Sequence, residues 1–423
     1  MRRRLLLATL LASLAAPAAL SSAAPASAAS ADYVGVTPAR YMDTRPGFSS
    51  FDGAFAGGGR ISGNAGVVAL DVAGRGQVPG DVLAVALNVT VTGAGSPGFV
   101  TVWPCTAKMP TASNLNYVAG QTVANAVLSG TDFQGSVCFY AKSPVHVVVD
   151  VVGYAPLTSS YLPLVPQRMY DSRVGTCNGP WNSPDVLTFH YPLDPADSEE
   201  GCTSPYPEEP LEIPADAEAA VLNLTAVSTA GPGYIGTAEC VDAGAPATST
   251  LNFDRAGQVV PNLAVATVDR GPDNPGALCF RQKNNGHFVI DAFGYFPAGS
   301  GYTPIAPARV VDTRPTGVTQ DGLDRRGGRL ERLEVRSFGL TGRLGGTVPE
   351  LDAAVVNVTV TGSDQPGWVS VYPCGTPTTT STVNFAAGQT VANAAFVSPG
   401  AEDAICYTAS QAVHVIVDLQ GWF

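Results

Sequence analysis

From residue 32 onward, short runs of β-branched and apolar residues alternate with clusters of Gly, Pro, Asn and Asp, and no stretch has the spacing of an amphipathic helix. This pattern predicts an all-β chain. Four of the runs recur in fixed order three times. The opening block reads PARYMDTRPG from Pro38, PQRMYDSRVG from Pro166 and PARVVDTRPTG from Pro307. VALNVTVTG from Val85 returns as AVLNLTAVS from Ala220 and AVVNVTVTG from Ala354. SNLNYVAGQTVANAV from Ser113 returns as STLNFDRAGQVVPNLA from Ser249 and STVNFAAGQTVANAA from Ser381. The closing block reads HVVVDVVGYA from His146, HFVIDAFGYF from His287 and HVIVDLQGWF from His414, apolar on both faces except at its His and Asp.

Each repeat spans about 120 to 140 residues, enough for a core of its own and too long for a propeller blade. About seven or eight strands per repeat, without interleaved helices, predict three tandem antiparallel β-sandwich domains with Greek-key or jelly-roll connections. A closed barrel is the alternative. The boundaries fall at linkers of small residues and Pro, giving residues 32–157, 158–299 and 300–423. The second repeat also carries an acidic insertion from Cys177 to Glu209.

Residues 1–31 read as a secretory signal peptide: Arg2, Arg3 and Arg4, an apolar run from Leu5 to Leu20, and a small-residue site ending at Ala31 or, alternatively, Ala28. The twin-arginine likeness of this start is weak. The run is shorter than the ~20 residues of a membrane-spanning helix, and no later segment is long and apolar enough, so no membrane span is expected. A formal charge of −12 excludes a basic nucleic-acid or anionic-membrane binder as the first reading.

The eight Cys fit a disulfide framework, and repeat phase selects the pairing. Cys105 with Cys138, Cys240 with Cys279, and Cys374 with Cys406 occupy matching positions, which leaves Cys177 with Cys202 across the insertion. Such bridges presume an oxidising compartment, in keeping with export.

Taken together, these blocks resemble the P-x-R-x-x-D-T-R … L-N-V-T … G-Q-T-V-x-N … H-V-I-V-D-V-x-G-Y-F repeat domain of secreted actinobacterial proteins. The resemblance covers the whole chain after the leader. It implies an exported or cell-surface context and brings no known activity.

Candidate chemistry is sparse. His146 and Asp150, His287 and Asp291, and His414 and Asp418 share one strand face in each repeat. No nucleophile-elbow serine and no second His accompanies them, so neither a catalytic group nor a metal or cofactor is expected. The preferred role is a structural clamp joining the two ends of each repeat: Arg40, Asp43, Arg45 and Asp150; Arg168, Asp171, Arg173 and Asp291; Arg309, Asp312, Arg314 and Asp418. Arg314 is favoured over Arg309 as the partner of Asp418, with a carboxyl pKa below about 3.9.

Asn88, Asn223 and Asn357 lie in N-x-T sequons inside a predicted buried strand, which argues against glycosylation. Asn116, Asn125, Asn252, Asn262, Asn384 and Asn393 are read as bonding loop backbone. Phe99 and Trp103, matched by Trp368 and Tyr372, are the candidate ligand-binding face, since solvent-facing aromatics beside hydroxyls stack on sugar rings. Packing explains the same pattern. The basic stretch Arg325, Arg326, Arg329, Arg332, Arg336 and Arg343 mixes with acids and reads as a solvated surface, or as a contact for the acidic insertion. The expected function is a non-enzymatic secreted or cell-surface structural or adhesive protein. A carbohydrate-binding protein for cell-wall or environmental polysaccharide is the alternative, and a hydrolase the distant one. The sequence leaves the oligomeric state open.

Overall fold

The computed structural model describes residues 31–423 except 64–65, 175–185, 191–212, 239, 241–247 and 273–274, and describes 186–190 as backbone. In the first repeat the apolar runs become β1 (Val34–Asp43), β2 (Val68–Asp71), β3 (Ala84–Thr92), β4 (Gly98–Pro104), β5 (Leu115–Tyr117), β6 (Val123–Gly130), β7 (Ser136–Ala141) and β8 (His146–Ala155). They form two antiparallel four-stranded sheets, ordered β1-β8-β3-β6 and β2-β7-β4-β5. The second repeat supplies β9 (Leu162–Asp171), β10 (Val186–His190), β11 (Ala219–Val227), β12 (Gly233–Ala238), β13 (Leu251–Phe253), β14 (Val259–Thr267), β15 (Ala277–Lys283) and β16 (His287–Phe296). The third supplies β17 (Thr303–Asp312), β18 (Val335–Gly339), β19 (Ala354–Thr361), β20 (Gly367–Pro373), β21 (Val383–Phe385), β22 (Val391–Val397), β23 (Ala404–Ala409) and β24 (His414–Trp422). Both keep the strand orders of the first, giving six sheets among the described residues. The closing strand is flanked on both edges in every repeat, and its two faces are apolar because one meets the core of its own repeat, as with Val147, Val149 and Val151, and the other the core shared between repeats, as with Val152 and Ala155.

Strand alternation divides the burial. Val85, Leu87 and Val89 of β3 meet Val100 and Val102 of β4 in the core of the first repeat, and equivalent clusters fill the other two. The opposite face of β3 carries Ala84 and Ala86, which join Ala219 and Val221 of β11 and, from the third repeat, Val355 of β19 and Ala353 just before it in a fourth core that all three repeats share. Small side chains there let three sheets approach one another closely. β6, β14 and β22 touch pairwise at this centre. Aromatic residues extend the shared core, with Tyr33 stacked on Phe423 at 5.1 Å and Phe296 on Tyr302 at 4.8 Å between ring centroids. Asp32 secures the links between repeats: its carboxylate accepts from the Ser160 hydroxyl at 2.6 Å and from the Ser160 and Gly301 N–H groups.

The bridges Cys105–Cys138, Cys240–Cys279 and Cys374–Cys406 are formed, with Cα atoms 4.9, 5.2 and 4.9 Å apart. Each links the end of the β4-type strand to the β7-type strand of its own repeat. Cys177 and Cys202 lie outside the described residues, as do the leader and most of the acidic insertion. Among the described residues no helix is long and apolar enough to cross a membrane.

Candidate functional site

The polar residues that recur three times fall into two groups, one inside each repeat and one between repeats. The first is built on the opening and closing strands, which are hydrogen-bonded neighbours. Their register sets Arg40 opposite Asp150, Arg168 opposite Asp291 and Arg309 opposite Asp418. Arg40 donates from Nε to Asp150 Oδ1 at 3.0 Å and from Nη2 to Oδ2 at 3.4 Å, and its third nitrogen reaches Asp43 Oδ2 at 3.3 Å. Arg45 folds back on Asp43, with Nε 2.9 Å and Nη2 2.6 Å from its carboxylate oxygens. The result is an alternating file of two acids and two arginines with no net charge.

The other repeats reproduce this file. Arg168 Nε lies 2.6 Å from Asp291 and Arg309 Nε 2.8 Å from Asp418, while Arg173 and Arg314 each approach the acid two residues earlier at 2.6 Å. The expectation that Arg314 holds Asp418 is therefore corrected. Arg309 is in register with Asp418, whereas Arg314 follows the end of β17 and can only turn back onto Asp312.

The expected sign of the acid's pKa is corrected as well. Asp150, Asp291 and Asp418 are completely buried, and desolvation outweighs the arginine, raising each carboxyl and pushing Asp291 up to about 6. Asp43, Asp171 and Asp312 behave oppositely. Burial pushes these three upward too, but the side-chain and backbone bonds from Arg45, Arg173 and Arg314 prevail and hold them below the usual range.

The histidines do not join the acids. His146 Nδ1 lies 3.3 Å from Thr44 Oγ1, His287 Nδ1 3.0 Å from Ser172 Oγ and His414 Nδ1 3.2 Å from Thr313 Oγ1. The same hydroxyls accept the N–H of Val147, Phe288 and Val415 at 2.9 Å, so the T or S of each opening block fastens the start of the closing strand. Among the described residues no three His, Cys, Asp or Glu side chains gather as a metal site.

The second group is a ring of asparagines at the shared core. Asn125 Nδ2 donates to Asn223 Oδ1 at 2.9 Å, Asn262 Nδ2 to Asn357 Oδ1 at 2.8 Å and Asn393 Nδ2 to Asn88 Oδ1 at 2.8 Å, each bond joining a different pair of repeats. The oxygens of the three donors accept backbone N–H from the following repeat: Leu263 at 3.1 Å, Ala394 at 3.0 Å and Ala126 at 2.8 Å. Asn223 and Asn357 donate to the carbonyls of Ser113 and Ser249 at 2.7 Å, and Asn88 donates to that of Ser381. All six are buried, so the sequons are closed to glycosylation in the folded chain. Reading Asn125, Asn262 and Asn393 as loop-bonding residues found only their bonds to Asn114, Thr250 and Thr382 of their own repeats. The bonds that join repeats were missed.

A second arginine–acid device was missed too. Arg75 grips Asp52 through Nε at 2.9 Å and Nη2 at 2.8 Å, and Arg343 grips Asp321 at 2.6 and 2.7 Å. The signal was the shared D-G at Asp52 and Asp321, obscured because Arg343 sits in the basic stretch. Within that stretch Arg336 lies on Glu334 at 2.7 Å, and Arg329 reaches Asp364 outside it at 2.9 Å.

The proposed aromatic face is divided by burial. Phe99 and Trp368 are half-buried, but Trp103 and Tyr372 are 3% and 4% exposed and cannot present a ring to solvent. The chain after β4 folds back over Trp103, whose Nε1 donates to the Ala107 carbonyl at 3.1 Å. What remains is one half-buried aromatic per repeat, Phe99, Tyr234 and Trp368, paired across the adjacent short strand with Asn116, Asn252 and Asn384.

No protein-family model matches this chain, and no curated protein matches it in sequence. Solved structures similar to parts of it include a triple-jelly-roll turret protein of an archaeal virus, at 8% identity and TM-score 0.21 over 92% of this chain and 91% of that one. Another is the CBM22-1–CBM22-2 tandem of Paenibacillus barcinonensis Xyn10C, at 9% identity and TM-score 0.17 over 64% of this chain and 99% of that one. Likeness at these scores carries no argument about fold or function.

Proposed function

We propose that this chain is a non-catalytic extracellular structural or adhesive protein, three eight-stranded sandwiches closed around one axis. In this reading each repeat is a jelly roll, since a 1-8-3-6 sheet facing a 2-7-4-5 sheet is the order that two interlocked Greek keys produce. Export is supported by the signal-peptide pattern, the disulfides and the resemblance to secreted repeat domains. One observation carries the functional reading: the clamp and ring residues that recur in all three repeats are engaged in bonds within or between repeats. A catalytic site of the same residues would need them free to meet substrate.

The test is a sedimentation assay of the purified protein against isolated cell envelope and insoluble polysaccharides, run beside a panel of glycosidase and esterase substrates. Envelope retention without turnover is the expected result, and turnover lost on mutation of any described residue defeats the reading. Carbohydrate binding is the second reading, favoured by the aromatic–asparagine pair that survives in every repeat. It predicts that Phe99→Ala, Tyr234→Ala and Trp368→Ala together abolish retention on polysaccharide while leaving thermal unfolding unchanged.

A further inference from the structure

The loop that follows β1 carries two open aromatic rings, Phe48 at 51% and Phe51 at 44% exposure, three residues apart. No repeated motif accounts for them. The third repeat builds the same loop without rings. Gln320 donates its N–H to the Arg309 carbonyl at 2.9 Å as Phe51 does to that of Arg40 at 2.8 Å, so Gln320 stands in place of Phe51. Gly317 and Val318 likewise stand in place of Gly47 and Phe48. Of these two repeats the rings belong to the first alone, and the shared fold does not require them.

The loop is firmly held. Asp43 N–H donates to the Phe55 carbonyl at 3.1 Å, Gly57 N–H to the Asp43 carbonyl at 2.8 Å, and Ala54 N–H to Asp52 Oδ1 at 3.0 Å. Each ring is backed by a guanidinium, that of Arg45 at 3.7 Å from the Phe48 centroid and that of Arg75 at 5.4 Å from the Phe51 centroid. Rings fixed in advance lose little freedom when a ligand stacks on them. Nothing crowds the loop around them. Gly47 and Gly53 turn the chain at φ +81° and +78°, and a Cβ built on either would meet no atom within 4 Å.

Charge and size select the occupant. Arg45 is paired with Asp43 and Arg75 with Asp52, so the loop has no net charge with which to draw in an anionic membrane. A stable protein partner buries about 800 Å² on each side, more than one short loop provides. The loop does provide two flat apolar faces with polar groups beside them: the exposed Ser49 hydroxyl, and Arg45 Nη1, which bonds nothing among the described residues. A pyranose ring matches both, since its C–H face packs on an aromatic ring while its hydroxyls exchange bonds at the edge. We propose that Phe48 and Phe51 form a stacking site for neutral polysaccharide on the opening loop of the first repeat. This site rests on the carbohydrate reading and adds to it a contact outside the sheets that carry Phe99, Tyr234 and Trp368.

Depletion isotherms of the full chain on insoluble cellulose, xylan, mannan and chitin test it. The wild-type protein is expected to bind at least one of them, and Phe48→Ala and Phe51→Ala each to weaken that binding by about 10-fold, the effect of losing one aromatic contact. Phe48→Leu and Phe51→Leu are expected to weaken it as much, because leucine keeps apolar area and loses the flat face. Should an alanine variant melt below the wild type, the leucine variant at that position decides. Binding undiminished by either leucine change overturns the stacking site. If that binding still falls when Phe99, Tyr234 and Trp368 are all changed to Ala, the carbohydrate reading survives without the loop. A wild-type protein that binds none of the four polymers overturns both.

Discussion

The clamp and the asparagine ring both bury polar side chains three times over, yet they do different work. The clamp closes a repeat on itself: charged, partly wetted at Arg45 and Arg314, and made of residues from the two ends of one repeat. The ring closes the repeats on one another with neutral, fully buried amides. Charge is tolerated where an arginine can still reach water. At the shared core, where no side reaches solvent, amides satisfy both donor and acceptor without the desolvation cost of an ion.

Breaking the two devices should separate them. Asp418→Ala leaves Arg309 without its main partner and is expected to cost about 3 to 5 kcal/mol in equilibrium unfolding by denaturant. Asn262→Ala strands the Asn357 amide oxygen and the Ala394 N–H, for an expected loss of about 2 to 4 kcal/mol. A double-mutant cycle sharpens the distinction. Asn262→Ala with Asn357→Ala should couple by about 0.5 to 3 kcal/mol, and Asn262→Ala with Asp150→Ala should be additive.

Acid should act on the clamp and spare the ring. Asp291 has a folded pKa of about 6, above its unfolded value, so the cost of its buried charge is fully present above pH 6 and is relieved as pH falls toward 4. Asp171 is lowered, so its contribution is present above the unfolded value and is lost only as pH falls through its folded value. Melting temperature is therefore expected to be at least as high at pH 5 as at pH 7 and to drop below pH 4. Asp291→Asn should reduce the rise toward pH 5, and Asp171→Asn the drop, the rest of each coming from the matching acids of the other two repeats. The smallest effect belongs to Arg314→Ala, expected near 1 kcal/mol because its 37%-exposed side chain is screened by water and Arg309 still approaches Asp312 at 3.6 Å.

The same contrast explains what could be read from the sequence. Both ends of the clamp lie in blocks of one repeat, so spacing and charge revealed its members, and only the pairing of Arg309 against Arg314 needed strand register. The asparagines stood out as repeated, but their partners lie in a different repeat, about 100 to 300 residues away in sequence. Nothing local announces such a contact. Strand alternation correctly set Trp103 on the face away from Val100 and Val102, yet alternation says nothing of the loop that covers that face.

The asparagine ring also fixes a number. Its bonds are one set of three repeated at each seam, every amide satisfied by the repeat on either side, and the circuit closes on itself. A fourth repeat would find every partner taken. Two repeats would leave the seam open and expose to water the apolar face of the shared core that the third repeat covers. Copy number is thus a property of this geometry, as the valence of an atom is of its shell, and three is the count at which it is saturated.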